Sequence, residues 1–204
     1  MTNPTPGGTA GLTLPGDWAA EPAASTITFA VRNFGLRTVT GQIPLSSAVV
    51  IAGPGGQPAG IRAELDARGI DTGNRRRDSD LRGPRFLATG RWPAITFEAS
   101  DIQANGTCWT IDGTLTVKDT RCPVRLNVGR LSTRPAGPAG PVHVHATGSL
   151  DRRAAGVEAA SAFLVGHRVA LSLSVQLCPP AAVTGISPQS PQNTVVHAEQ
   201  EERR

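Results

Sequence analysis

His143 and His145 stand two apart, so on a strand both side chains share one face, which is the geometry a metal pair needs. No Cys, Asp or Glu follows at strand spacing to complete the shell, and the shared face lies opposite Val142 and Val144. Both read as surface histidines, and neither a metal nor a cofactor is expected. Cys108, Cys122 and Cys178 form no C-x-x-C pair and no zinc spacing. The first two would matter only if they faced each other across a hairpin. Asp66, Asp71, Glu98 and Asp112 fall on outer faces or in turns, so no opposed carboxylate pair forms for acid–base work. No G-x-S-x-G, Walker loop or dinucleotide fingerprint occurs, and catalysis is not expected. Arg75-Arg76-Arg77 could hold a pyrophosphate or anionic head group through charge-assisted hydrogen bonds. Beside Asp78 and Asp80 the run reads instead as a solvated helix face.

The elements that must carry these residues are strands. Period-2 alternation, the mark of a sheet with one buried face, recurs along the chain. Residues 25–33 put Ile27, Phe29 and Val31 on one side, and residues 36–43 group Val39, Gly41 and Ile43. Residues 61–71 set Ile61, Ala63, Leu65 and Ala67 against Arg62, Glu64, Asp66 and Arg68. Similar patterns cover 94–100 (Ile95, Phe97), 108–118 (Ile111, Leu115), 123–131 (Val124, Leu126), 141–150 (Val142, Val144) and 168–177 (Leu171, Leu173, Val175). With Leu45 to Ile51 this makes eight or nine strands, and the intervening turn signals suit an antiparallel meander. Asn74 to Leu87 breaks the pattern. It predicts one or two short helices, capped by Asn74, stopped by Gly83-Pro84, and docking Leu81 and Phe86 over an end of the sheet.

Composition narrows the class further. Of 204 residues, 23 are Gly and 17 are Pro, a share of turn formers that argues against a helical bundle. Charged residues are 18% and the net charge is +4, almost all of the excess being arginine. A pI near 9.7 invites nucleic acid, but the aromatics fall on inward faces rather than beside the arginines, so no nucleic-acid partner is expected. No stretch approaches the ~18–20 apolar residues of a membrane span. Residues 1–16 and 179–204 have the composition of disordered tails, leaving one domain over 17–178. The odd cysteine count and a start without a basic, apolar leader point to a reducing, cytoplasmic setting.

Many antiparallel strands with one buried face leave a sandwich or a closed barrel. The inward residues are lean: three Trp, five Phe and no Tyr serve the whole chain, and Ala63, Gly113, Ala146 and Gly148 point inward. A close-packed interior does not tolerate such unfilled volume without cost. Either the sheets approach one another or something apolar enters.

Several segments resemble one known family. Ile70-Asp71-Thr72, Arg77-Asp78, Leu81, Phe86-Leu87 and Trp92-Pro93-Ala94-Ile95-Thr96-Phe97 resemble the central signature of the YceI-like family. Residues 112–128 resemble its central hairpin, 25–43 its opening strands, and Leu150-Asp151-Arg152 with Gly156-Val157 its late element. Asn33 and Asp80 stand where that family usually or often has His, Ile43 where Phe is common, and the late element lacks its aromatic. The resemblance implies an all-β, lipocalin-like, eight-stranded antiparallel barrel whose channel holds an isoprenoid chain, such as a quinone or prenyl tail. It also implies that Arg77-Asp78 is a structural ion pair.

The resulting expectation is storage or transport of a polyisoprenoid or similar long apolar molecule, without catalysis. The lumen is expected to be lined by Phe29, Val31, Val39, Leu65, Phe97, Ile111, Leu115, Val144, Leu173 and Val175, with Leu81 and Phe86 lidding one end. Transient membrane-surface contact and a homodimer are further partners to consider. Each isoprene unit offers about 3–4 kcal/mol of transfer energy from water. The bilayer is an equally apolar alternative, which favours exchange over sequestration. The competing reading is a stress-related scaffold whose barrel is filled by its own side chains.

Overall fold

A computed structural model describes residues 14–33, 37–129, 132–133, 140–157 and 166–180. The alternating segments become one antiparallel sheet: β1 (Trp18–Ala20), β2 (Thr26–Asn33), β3 (Arg37–Gln42), β4 (Leu45–Ala52), β5 (Pro58–Asp66), β6 (Ala94–Asn105), β7 (Cys108–Val117), β8 (Thr120–Val128), β9 (Ser132–Thr133), β10 (Val142–Asp151) and β11 (Arg168–Cys178). The β1–β2 segment is one wall strand broken by a 3-10 turn at Pro22–Ala24, and β3–β4 is another, broken at Ile43-Pro44. Ser25 bridges the first break: its hydroxyl donates to the Glu21 carbonyl and accepts from the Gln176 amide. Pairing of β10 with β11 from Val142↔Leu177 to Asp151↔Arg168 closes the ring. The wall is therefore an eight-stranded barrel, and β9 is a two-residue addition beside β10.

Two ends follow from the register. At one lie the ends of β2, β5, β7 and β10 and, among the described residues, one α-helix, α1 (Arg75–Arg82). At the other, Trp18 is buried with Leu14, Val50, Val142 and Leu177. We call these the helix end and the Trp18 end. The Asn74 carboxamide oxygen accepts from the Arg77 amide at 3.1 Å and caps α1; Gly83-Pro84 stops it. Leu81 and Phe86 then pack with Val31, Ile70, Ile95 and Val117 in the core at this end.

Three boundaries differ from the alternation. The strand expected over 61–71 stops at Asp66, whose carboxylate accepts from the Arg68 amide and opens a 3-10 turn at Ala67–Gly69. Ala67 is buried, but from that turn. β6 runs on to Asn105 because a register shift between Ala99 and Asp101 inserts a residue and keeps Ile102 opposite Ile111. β8 spans 120–128 rather than 123–131 and contains Pro123. It pairs with β10 only over Arg125–Val128, so the missing amide of Pro123 falls where the strand has a single neighbour. Asn33 ends β2. Of the tails expected over 1–16 and 179–204, residues 1–13 and 181–204 lie outside the described residues, whereas Leu14 is buried beside Trp18.

Candidate ligand-binding lumen

The inward sets of all eight wall strands enclose one elongated cavity of about 270 Å³. Its wall runs from Val50, Ile61 and Leu177 near the Trp18 end to Ile70, Leu87 and Val157 near the helix end. Phe29, Val31, Val39, Leu65, Leu81, Phe97, Ile111, Leu115, Val144, Leu173 and Val175 all line it. Phe86 does not. It is buried in the core around Leu81, and its neighbour Leu87 takes the place on the wall.

The space exists because small residues face aromatic ones. Ala48, Ala63 and Phe97 lie side by side across β4, β5 and β6, and the two alanines leave room in front of the ring. The Phe97 ring folds over Gly113, and the Phe29 ring over Gly41, on neighbouring strands. A β-carbon at either glycine would strike the ring, so each pair flattens an aromatic against the wall instead of across the lumen.

Residues with polar groups occur in the wall at few places, Thr28, Thr72, Arg77 and Arg152, and they present almost only apolar atoms to the cavity. The last three stand at the helix end. Arg77 Nε donates to Thr72 Oγ1 at 2.7 Å and Nη2 to the Thr72 carbonyl at 3.0 Å. Thr72 donates its hydroxyl to Asp78 Oδ1 at 2.5 Å and its amide to the same oxygen at 3.0 Å. The expected Arg77–Asp78 ion pair is thus a relay through Thr72, with no direct charge contact. Successive helix residues point in different directions, and one short hydroxyl can accept from one and donate to the other. Asp78 is only 5% exposed, so these bonds offset the desolvation of its carboxylate.

Arg152, 6% exposed, donates from Nε to the Gly166 carbonyl and from Nη1 to the Val157 carbonyl. It ties the turn after β10 to the start of β11. Neither arginine showed in the alternation, because a charged residue in a turn or helix carries no period-2 signal. Of the three-arginine run, Arg75 and Arg76 are exposed as a solvated face, whereas Arg77 turns inward.

The remaining candidates lie apart from the lumen. His145 is exposed and His143 half-buried, on the face opposite Val144. Among the described residues, no group of three His, Cys, Asp or Glu could hold a metal. Cys108 and Cys122 sit near opposite ends of the β7–β8 hairpin, Cys122 facing Leu115. Burial, with Asp151 adding to it, pushes the Cys122 thiol pKa up, away from reactive thiolate. Asp66 and Asp112 each pair with an arginine on the outer surface. Among the described residues, no helix is long and apolar enough to cross a membrane.

This architecture recurs in solved proteins. It is similar to BcnA of Burkholderia cenocepacia, with a TM-score of 0.66 and 19% identity, covering 77% of this chain and 98% of that one. It is also similar to a polyisoprenoid binding domain from Saccharophagus degradans, at a TM-score of 0.61 and 15% identity, covering 80% and 98%. In sequence, a UPF0312 protein of Yersinia pestis (strain Pestoides F) is 32% identical over 66 residues. That stretch is 32% of this chain, and the chain spans about a third of that relative, 34% of its length. Residues 18–177, from the plug at Trp18 to the last buried residue of β11, match the YceI-like domain, and the chain belongs to that family.

Proposed function

We propose that the lumen binds one long, flexible apolar molecule of the polyisoprenoid class, such as a quinone or prenyl tail, for storage or transport and without catalysing its conversion. The observation that carries this reading is the cavity itself: eight strands contribute an apolar wall to one continuous space. A hydrocarbon tail would lie along this apolar wall. The solved domain from Saccharophagus degradans, named for polyisoprenoid binding, supports the same class of occupant. At ~0.8 kcal/mol per buried CH₂, a few isoprene units offset the ~4–15 kcal/mol cost of association.

Native mass spectrometry of freshly purified protein, followed by incubation with a prenyl alcohol, tests the proposal. A co-purified lipid adduct or stoichiometric uptake supports it. A bare mass that stays bare on incubation overturns it in favour of a scaffold with a self-sufficient core.

A further inference from the structure

Charge is segregated along the barrel axis. Four regions of the helix end (32–33 with 37, 66–93, 117–121, and 151–153 with 166–168) hold fourteen of the 20 Lys and Arg residues but only six aspartates and no glutamate, a net of +8. The other described residues hold two arginines against six acids, a net of −4. Outside the described set the sequence adds Glu158, Arg130 and Arg134, and, after residue 180, three glutamates and two arginines. Most of the basic side chains at this end are exposed, among them Arg32, Arg37, Arg75, Arg76, Arg85 and Arg168.

Local stability does not account for this placement. Arg75 and Arg76 occupy the first turn of α1, where the helix dipole disfavours cations. Both project into solvent rather than onto the core. At the same end Trp92 is half-buried with the Arg91 guanidinium 5.1 Å above its ring, an amphipathic pairing suited to a bilayer interface.

We infer that the helix end docks on an anionic bilayer surface, with the Trp18 end directed away from it. The acidic balance of the other described residues orients the molecule in the field of such a surface. Docking this way brings the helix end of the lumen against the lipid. The inference rests on charge placement and holds whatever occupies the lumen.

The test is flotation of the full chain with vesicles of phosphatidylcholine alone or with about one-third phosphatidylglycerol. Each basic side chain near an anionic surface contributes about fivefold to binding. The expected result is binding to the anionic vesicles only, abolished at about 0.5 M salt. Arg75→Gln/Arg76→Gln should weaken it roughly 20-fold while leaving prenyl-alcohol uptake from detergent unchanged. Equal binding to both vesicle types, binding insensitive to salt, or an unaltered double variant overturns the inference. So does preference for a DNA duplex over anionic vesicles at matched salt. Uptake is read separately, so failure of docking and failure of the lumen proposal are told apart.

Discussion

The ring of Phe97 lies across Gly113 on the neighbouring strand, so closely that a β-carbon at Gly113 would meet ring Cζ at 2.5 Å and the Glu98 carbonyl oxygen at 2.7 Å. The ring could swing away, but the carbonyl belongs to the wall and cannot. Gly113→Ala should therefore destabilise the fold by about 1–3 kcal/mol, as overpacked interiors do. A shift of the urea midpoint to lower concentration measures this; an unchanged midpoint would show that the wall yields freely.

Ala63 sits between Ala48 and Phe97 with its methyl group toward the cavity. Ala63→Phe should fill the lumen with an apolar ring, leave a folded barrel by circular dichroism, and reduce prenyl uptake at least tenfold. Leu115→Arg should reduce it as strongly by placing a charge in the apolar wall, at a cost in stability. If both variants take up lipid as the parent does, the molecule binds elsewhere.

Removing the Thr72 hydroxyl by Thr72→Val keeps the shape but deprives Asp78 of one donor and Arg77 of one acceptor. The expected loss is about 1–3 kcal/mol, since a buried charged group is left short of partners. Asn74→Ala removes only a cap and should cost about 1 kcal/mol. Denaturant unfolding of the two ranks them, and a smaller effect at Thr72 would argue against the relay.

Acid should weaken the fold through three surface pairs. Side-chain hydrogen bonds from Arg68, Arg125 and Arg153 hold the carboxyls of Asp66, Asp112 and Asp151 below the ordinary aspartate range. Folded pKa values below the unfolded one mean the native state binds fewer protons. Their contribution is complete above the unfolded pKa of about 3.9 and fades as pH falls through the folded values. These pairs are solvent-screened, so each effect is small. Thermal midpoints should decline below about pH 4, and less steeply in Asp112→Asn; a midpoint that rises on acidification would contradict this.

Residues differed in how much of this barrel they made legible. β11 alternates without interruption, and its inward set read directly from the sequence. β1 has three residues, too few for any period, so Trp18 gave no sign that it closes an end. The bulge after Ala99 hid the second half of β6 by shifting the phase of alternation. Arg77 and Arg152 stayed hidden for a different reason: a guanidinium enters an apolar wall only when tertiary neighbours supply its acceptors, and those neighbours are distant or non-periodic in sequence. Family-like segments did mark both positions, though as part of an ion pair in the case of Arg77.

The short ladder between β8 and β10 has a mechanical corollary. Four residues of β8 are stitched to that neighbour, whereas Thr120 to Val124 have no ladder to it; there Thr120 lies beside Gly156 and Lys118 Nζ donates to the Gly156 carbonyl at 2.6 Å. Side-chain tethers give way more readily than a continuous ladder. The cylinder is thus stiff around most of its circumference and compliant along one half-seam.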